Sequence, residues 1–213
     1  MDILKEIAET LQNGNGSKVA ELVQKGLDED LSWGVILNEG LFAGMEVVGK
    51  LFKEEDLFVP EVLMAAKAMD AGIKVLEPLM AGNGGWKKKV KVVLGTVKGD
   101  IHNLGKNLVG VMLKGAGFEV MDIGVDIPAE KFVDAAISEK AQFIGMSTLL
   151  TTTMPYMRTV IEALSKAGLE GQVKTIIGGA CVTQQYADEI GADAYGENAG
   201  DAVEKAKVLL GLK

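Results

Sequence analysis

The N-terminal part of the chain carries apolar side chains at the spacing of amphipathic helices. Ile3, Ile7 and Leu11 fall on one helical face. A second apolar run follows a stretch of glycine and asparagine, a third begins at Leu31, and a fourth follows Pro60. Proline suits the first turn of a helix, and apolar residues at this spacing predict helices that share a core. Four helices with short links predict a small helical bundle.

After residue 90 the pattern changes to short apolar runs that alternate with helical segments. We predict strands at 90–94, 119–121, 143–146, 175–177 and 192–195. Helices are predicted at 105–115, 129–139, 154–167, 182–189 and 199–210. This alternation implies a parallel sheet with helices on both faces. Five strands suit a doubly wound, flavodoxin-like (Rossmann-like) order, which predicts an α/β domain.

A glycine-rich segment at 81–85 separates the two patterns. We therefore predict a helical domain over 1–85 and an α/β domain over 86–213. The segment between them is a candidate hinge. The basic cluster at 86–91 is interpreted as a solvated run that leads into the first strand, with a docking patch as the less favoured alternative.

Composition narrows the classes of function. The formal net charge is −8 and the sequence has no extended basic face, which argues against a nucleic-acid binder. The single cysteine, Cys181, excludes an internal disulfide framework and fits a reducing compartment. The N-terminus lacks the pattern of a signal peptide, and no window approaches the roughly 18 apolar residues of a membrane helix. We expect a cytoplasmic protein that binds neither nucleic acid nor membrane.

The only histidine, His102, lies in a loop directly after the first predicted strand, two residues beyond Asp100. Two other strand ends carry unusual loops, a serine- and threonine-rich run at 147–155 and the glycine pair within 178–180. In an open α/β sheet, ligands bind at the carboxyl ends of the strands. Imidazole is a versatile metal ligand, and a carboxylate is the usual partner of its second nitrogen. We interpret His102 as a ligand to a metal that a cofactor brings in.

Each of these features also has a structural interpretation. A lone histidine in a loop is most often a surface residue, and a motif match is only a hypothesis. A serine- and threonine-rich run before a helix is commonly a helix cap, and a glycine pair after a strand is commonly a turn. Their occurrence at three corresponding strand ends favours a shared site.

The three loops together match a known pattern. Residues 100–105 match the Asp-x-His-x-x-Gly signature of cobalamin-binding domains, and residues 147–149 and 178–179 match its second and third elements. Residues 44–52 and 58–62 resemble the helical cap of cobalamin-dependent methionine synthase. Over nearly its whole length the chain resembles the corrinoid proteins of anaerobic methyltransferase systems.

The resemblance implies specific roles in the chemistry. His102 would bind the cobalt of cobalamin as its lower axial ligand and displace the cofactor's own benzimidazole, the arrangement called base-off/His-on. Asp100 would accept a hydrogen bond from the other ring nitrogen. Thr153 stands where methionine synthase has a serine bonded to that aspartate.

The resemblance also implies a set of residues that contact the cofactor. Ser147 would contact the displaced benzimidazole, and the loops after the third, fourth and fifth strands would line a channel for the nucleotide tail. In the α/β domain the implied contacts, besides Asp100, His102 and Thr153, are Gly99, Ile101, Asn103, Leu104, Gly105, Ser147, Leu149, Thr151, Gly178, Gly179, Ala180, Tyr195, Gly196, Asn198 and Ala199.

In the helical domain, Phe52, Val59 and Val62 align with residues that cover the upper face of the corrin. Periodicity alone favours the alternative that they belong to the bundle core, whereas the resemblance favours the cap. Three methionines are expected in the core because methionine fills irregular gaps: Met45, Met64 and Met69.

The function implied by the resemblance is methyl carriage. A donor-specific methyltransferase would move a methyl group to Co(I), and a second methyltransferase would pass it from methyl-Co(III) to tetrahydrofolate or coenzyme M. A reductive activase for Co(II) is a further implied partner. The donors used by such systems include methanol, methylamines, methoxylated aromatics and betaines, and the sequence does not choose among them.

Three alternatives remain at this stage. The small subunit of a cobalamin-dependent radical mutase would share the histidine motif but lack the cap that residues 44–62 resemble. A non-enzymatic cobalamin sensor would need a DNA-binding or effector module, and the helical half has no basic recognition helix. A flavodoxin-like domain that binds flavin is the third alternative.

Overall fold

The computed structural model describes residues 2–82 and 90–212, and the chain divides into two compact units that we describe separately. The first unit is helical. Its helices are α1 (Ile3–Gln12), α2 (Gly16–Asp28), α3 (Trp33–Val35), a π-helical segment (Ile36–Phe42), α4 (Ala43–Lys53) and α5 (Val59–Gly82). Since α3, the π-helical segment and α4 are continuous, these elements form the four helices that periodicity predicts.

The helical unit has its core where the apolar stripes place it. Ile3, Ile7 and Leu11 are all buried on α1, which packs against α2. Asp2 caps α1 and Asn15 caps α2, each accepting a hydrogen bond from a backbone N–H of the first turn. The stripe therefore predicts the buried face, and the caps define where the first two helices begin.

Two features of this unit differ from the expectation. The π-helical segment inside the third helix has no signal in the apolar spacing. Met45 and Met69 are buried as expected, but Met64 is 52 % exposed and its placement in the core is wrong. Met64 lies against Gly14 at one edge of the bundle, so only part of its side chain is covered.

The second unit is a five-stranded parallel sheet flanked by helices. The strands are β1 (Lys91–Val97), β2 (Glu119–Ile127), β3 (Phe143–Ser147), β4 (Lys174–Gly178) and β5 (Ala194–Gly196). The helices are α6 (Leu104–Gly115), α7 (Ala129–Glu139), α8 (Pro155–Lys166), α9 (Gln184–Ile190) and α10 (Ala199–Leu209). The strand order is β2-β1-β3-β4-β5. The predicted doubly wound, flavodoxin-like fold is confirmed.

The register of the sheet places the carboxyl ends of four strands side by side. Thr96 of β1 pairs with Ser147 of β3, Ser147 pairs with Gly178 of β4, and Gly178 pairs with Gly196 of β5. The loops that follow these strands therefore leave the sheet at one level. This is the edge where the sequence predicts a shared site.

Strand β2 is longer than predicted, because it continues at the sheet edge with an irregular register against β1. Near its end, Asp126 has a positive φ of 56°. Its backbone N–H donates to the carbonyl of Asp100 at 2.9 Å, and its carboxylate accepts from the N–H of Gly99 at 2.7 Å. The end of β2 is thus bonded to the loop after β1.

Two predictions fall on parts of the chain that are not described. Most of the proposed hinge at 81–85, and most of the basic cluster at 86–91, lie outside the described residues. Within the two described ranges, no helix combines the length and apolar character needed to span a bilayer.

Candidate functional site

The loop after β1 presents one half-exposed imidazole on a buried carboxylate. The side chain of His102 is 48 % exposed, whereas that of Asp100 is 0 % exposed. The ring Nδ1 lies 2.7 Å from Asp100 Oδ1, and the backbone N–H of His102 donates to the same oxygen at 2.9 Å. The contact between Asp100 and His102 that the resemblance implies is present in the structure.

The second carboxylate oxygen of Asp100 is bonded to the loop after β3. The backbone N–H of Leu149 donates to Oδ2 at 2.6 Å, and the hydroxyl of Thr148 donates at 2.7 Å. Burial alone would raise the pKa of Asp100, but hydrogen bonds from the two backbone amides, the Thr148 hydroxyl and the imidazole hold it well below its usual range. Asp100 is therefore a carboxylate and accepts every one of these bonds.

This arrangement determines which nitrogen of His102 carries the hydrogen. Because Asp100 only accepts, Nδ1 is the donor in their bond, and the neutral ring has its lone pair on Nε2. Thr96 adds a second restraint, since its hydroxyl donates to the backbone carbonyl of His102 at 2.9 Å. A fixed ring with a free nitrogen on an exposed loop is suited to bind a metal ion.

The hydroxyl nearest to Asp100 is not the one that the resemblance indicates. Thr153 Oγ1 is 3.4 Å from Asp100 Oδ2, a longer contact than the 2.7 Å of Thr148. The two hydroxyl oxygens are 2.5 Å apart, and Thr153 Oγ1 also lies 2.9 Å from the carbonyl oxygen of Leu150. Both side chains are buried, so the carboxylate and the two hydroxyls form one enclosed network.

Sequence reasoning missed Thr96 and Thr148 as site residues. Thr96 is a fully buried hydroxyl that follows the apolar residues Val92, Val93 and Leu94 in β1, and this contrast is a signal that the sequence offers. Thr148 is named in the motif but has no assigned role there, because its contact with Asp100 depends on how the loop after β3 turns.

Gly178 and Gly179, at the end of β4, lie directly against the backbone of the loop after β3. The backbone N–H of Thr148 donates to the carbonyl of Gly178 at 3.2 Å. Gly179 has a φ of 137°, and a Cβ at this position would lie 1.7 Å from the carbonyl oxygen of Thr148. Only glycine fits here, because two backbones touch.

Gly105, unlike Gly179, has free space where a side chain would lie. A Cβ added to this residue would meet nothing within 4 Å, and its φ is not in the left-handed region. No contact among the described residues requires glycine at this position of α6. The open space lies three residues after His102, where a bulky ligand on the imidazole would need room.

Apolar side chains on the same loops are unusually exposed. Ile101 is 73 % exposed and Leu104 is 69 % exposed, and both flank His102 in the chain. Leu149 and Leu150, in the loop that bonds to Asp100, are 42 % and 39 % exposed. Exposed apolar residues around a polar group indicate a ligand surface, and this combination fits a large and mainly apolar ring system.

The described side chains do not form a metal site by themselves. Across residues 2–82 and 90–212, no group of three or more His, Cys, Asp or Glu side chains could hold a metal ion. One imidazole with apolar surroundings instead fits a metal whose other ligands belong to a cofactor. The donor set therefore fits a corrinoid, in which the ring supplies four nitrogens.

The remaining predicted contacts lie at the same sheet edge, with different degrees of exposure. Gly99, Asn103, Thr151 and Ala180 are exposed, Ser147 is partly buried, and Gly196 is buried beside Gly178. Asn198 caps α10 by accepting from the N–H of Asp201 at 2.9 Å, and Ala199 is buried in the first turn of that helix. Tyr195 is partly buried, with Lys205 Nζ 5.7 Å from the centre of its ring.

The three predicted cap residues differ in exposure within the helical unit. Phe52 and Val59 are partly buried. Val62 is 0 % exposed, so protein already covers its whole side chain. This burial favours the alternative that Val62 is a core residue of the bundle.

Comparison with known proteins gives a consistent result. Residues 90–204 match a family described as B12 binding domain, and residues 3–77 match a second family of the same description. A corrinoid protein of Desulfitobacterium hafniense is 46 % identical over 213 residues, covering 99 % of each chain. Dimethylamine corrinoid protein 1 of Methanosarcina acetivorans is 47 % identical and covers 98 % of each chain.

A solved structure agrees with these relatives. A chain of the methanol:cobalamin methyltransferase complex MtaBC from Methanosarcina barkeri matches with a TM-score of 0.88 and 30 % identity, covering 100 % of this chain and 81 % of that one. The predicted resemblance is confirmed: the chain belongs to the corrinoid protein family, and its cofactor is a corrinoid of the cobalamin type.

Proposed function

We propose that this chain is a methyl-carrying corrinoid protein in which the cofactor is bound base-off, with Nε2 of His102 on the cobalt. The observation that carries this proposal is the 2.7 Å contact between Nδ1 of His102 and the buried Asp100, because a ring that donates from Nδ1 has its lone pair on Nε2. When bound, the corrinoid supplies a cobalt centre that accepts and releases a methyl group.

The protein's own residues have three tasks in this proposal. Asp100 and Thr96 orient His102, and the charge of Asp100 makes the ring a stronger donor to the metal. Ile101, Leu104 and Leu149 form an apolar surface for the corrin, while the open space at Gly105 leaves room for it. The loops at Ser147, Gly178 and Tyr195–Ala199 are proposed to receive the nucleotide tail.

The helical unit is proposed as a cap over the opposite face of the corrin. Phe52 and Val59 have the accessible apolar surface that this role needs. An apolar cover excludes water and limits side reactions at a reactive metal. For methyl transfer the cover must move away when a methyltransferase binds.

The partners proposed are two methyltransferases and a reductive activase. One methyltransferase supplies the methyl group, and a second acts on tetrahydrofolate or coenzyme M. The relatives named for dimethylamine are 45–47 % identical to this chain, whereas the methanol system matches at 30 %. This difference makes methylated amines the first class of donor to assay and methanol the second.

The ligation of cobalt is tested by the EPR spectrum of the Co(II) form, prepared from uniformly nitrogen-15-labelled protein and unlabelled cobalamin. A doublet superhyperfine splitting is expected, because one nitrogen-15 nucleus of His102, the only histidine, would bind the metal. A triplet would show that the cofactor's benzimidazole stays bound and would overturn the base-off part of the proposal.

Methyl carriage is tested separately. The reconstituted, reduced protein is incubated with carbon-13-labelled dimethylamine and a dimethylamine methyltransferase, and in parallel with labelled methanol and a methanol methyltransferase. Labelled methyl bound to the protein's corrinoid is the expected result with one of the two pairs. Label with neither pair, under conditions where a known carrier protein is methylated, would contradict the proposed donors.

A further inference from the structure

The contacts of Thr148 distinguish it from every other hydroxyl near the site. Its side chain is 1 % exposed, and its Oγ1 lies 2.7 Å from Asp100 Oδ2. The next residue, Leu149, donates its backbone N–H to the same oxygen at 2.6 Å. One turn of chain therefore supplies the two short hydrogen bonds to Asp100 Oδ2, whereas Thr153 lies 3.4 Å from that oxygen.

The hydrogens of the two threonines can be assigned by counting. Each hydroxyl donates one hydrogen, and Asp100 only accepts. Thr148 is 2.7 Å from the carboxylate and 3.5 Å from the Leu150 carbonyl, so its hydrogen goes to Asp100. Two oxygens 2.5 Å apart need a hydrogen between them, and Thr148 gives its own to Asp100, so Thr153 donates to Thr148 rather than to Leu150 at 2.9 Å. The order of the network is Thr153, Thr148, Asp100, His102.

Thr148 is also fixed at its backbone. Its N–H donates to the carbonyl of Gly178, and its own carbonyl touches Gly179 so closely that a Cβ there would be 1.7 Å away. The end of β4 thus fixes the position of the Thr148 hydroxyl, although the side chains that bond to His102 come from other parts of the chain. Three strand ends, those of β1, β3 and β4, meet at this residue.

We propose that Thr148, rather than Thr153, is the positioning residue that fixes the carboxylate of Asp100 and through it the ring of His102. The inference rests on the proposed function only in assigning cobalt to Nε2 of that ring. Without the Thr148 hydroxyl, Oδ2 of Asp100 keeps the Leu149 amide at 2.6 Å and only the long contact with Thr153 at 3.4 Å, and the carboxylate can rotate away from Nδ1.

The single histidine allows a direct test in the apoprotein. The exchange rate of the His102 Nδ1–H with water is measured by nitrogen-15 NMR of the ring in wild type and in Thr148→Val, which has nearly the same shape without the hydroxyl. We expect the exchange to become about fivefold faster, the size expected for loss of one hydrogen bond. Thr148→Ser keeps the hydroxyl and should restore the wild-type rate.

Thr153→Val is the matched control for position. We expect it to change the exchange rate by less than twofold, because Thr153 is 3.4 Å from the carboxylate. The inference would be overturned if the exchange rate of Thr148→Val equalled that of wild type, or if Thr153→Val changed the rate more than Thr148→Val does. Thr148→Ala is measured as well, so that misfolding of one variant, detected by circular dichroism, leaves the test intact.

The loaded protein gives a second readout. In the Co(II) EPR experiment with nitrogen-15-labelled protein, Thr148→Val should reduce the fraction of spectrum with the doublet, whereas Thr148→Ser should not. If wild type itself shows no doublet, the proposed ligation is wrong, but the exchange rates still decide whether Thr148 positions the ring. The two failures are therefore distinguishable.

Discussion

His102 takes its orientation from a carboxylate that is itself fully buried. Asp100 is fully buried, and it accepts hydrogen bonds from His102, Thr148 and Leu149 on its two oxygens. A neutral imidazole in solution exchanges freely between its two tautomers, but here the carboxylate selects one. The ring therefore already holds the tautomer that the proposed ligation of cobalt requires.

Replacing the carboxylate of Asp100 by an amide tests this dependence. In Asp100→Asn the side chain keeps its size but loses its charge, so the bond to Nδ1 weakens and Nε2 becomes a poorer donor. We expect cobalamin affinity or methyl-transfer rate to fall about 10–100-fold. The measurement is a titration of apoprotein with hydroxocobalamin beside a methyl-transfer assay, and His102→Ala is the comparison. An unchanged affinity and rate in Asp100→Asn would remove the role assigned to Asp100.

The lowered pKa of Asp100 also predicts how stability depends on pH. A carboxyl group whose pKa is lower in the folded state stabilises the fold above its unfolded pKa, about 3.9, and this contribution is lost as pH falls through the folded pKa. The difference in free energy of unfolding between wild type and Asp100→Asn should therefore shrink as the pH falls below about 4. Urea unfolding of the apoproteins as a function of pH is the measurement, and a difference that grows on acidification would contradict the assignment.

At the scale of elements, the site is assembled by bonds between strand ends rather than within one loop. Asp126, at the end of β2, has a positive φ of 56° and bonds to Gly99 and Asp100. A left-handed conformation is uncommon outside glycine and is best tolerated by Asn and Asp. The loop that presents His102 is thus restrained by the edge strand.

Asp126→Ala is expected to destabilise the α/β unit. Alanine loses the hydrogen bond to Gly99 and is strained at this φ, for a combined cost of about 1–3 kcal/mol. Asp126→Asn tolerates the same backbone conformation, and its side-chain oxygen can still accept, so it should stay within about 0.5 kcal/mol of wild type. Urea unfolding of both variants gives the comparison, and equal stability of Ala and Asn would show that the contact is unimportant.

Substitution by alanine is expected to have opposite effects on stability at Gly179, which follows β4, and at Gly105, in the first turn of α6. Gly179→Ala places a Cβ 1.7 Å from the Thr148 carbonyl at a φ of 137°, so it should unfold the strand ends or lower stability severely. Gly105→Ala meets no protein atom within 4 Å, and in a helix it should stabilise the apoprotein by about 0.5–1 kcal/mol. The same Cβ occupies space proposed for the corrin, so cobalamin affinity should fall. Thermal unfolding with and without hydroxocobalamin measures both effects, and tighter binding by Gly105→Ala would contradict the placement of the ligand.

Element by element, periodicity accounts for most of the α/β unit. The predicted helix at 129–139 coincides with α7 (Ala129–Glu139), because its buried face is regular. Strand β2 was predicted over three residues and extends over nine, since an edge strand with exposed residues lacks a clear apolar run. Thr148 could not be assigned from the sequence, because its contact with Asp100 joins residues 48 positions apart through a turn of the loop.

At the scale of the whole molecule, the proposed function requires one cofactor to contact both compact units. The imidazole and the apolar loop residues belong to the α/β unit, whereas Phe52 and Val59 belong to the helical unit. A ligand that binds only the folded state stabilises it by about 2.7 kcal/mol at one hundred times its dissociation constant. Whether that stabilisation reaches both units depends on where the ligand makes contact.

Hydrogen exchange measured by mass spectrometry tests this requirement. On addition of hydroxocobalamin, we expect slower exchange in the loop that contains His102 and also in α4 (Ala43–Lys53) and α5 (Val59–Gly82), near Phe52 and Val59. In Phe52→Ala the protection of α4 and α5 should decrease while that of the His102 loop persists, because His102 and the residues around it are unchanged. In Val62→Ala, which shortens a fully buried side chain, the helical unit should instead lose stability with or without cofactor. Protection confined to the α/β unit in wild type would show that the helices do not cover the corrin and would require a different role for Phe52 and Val59.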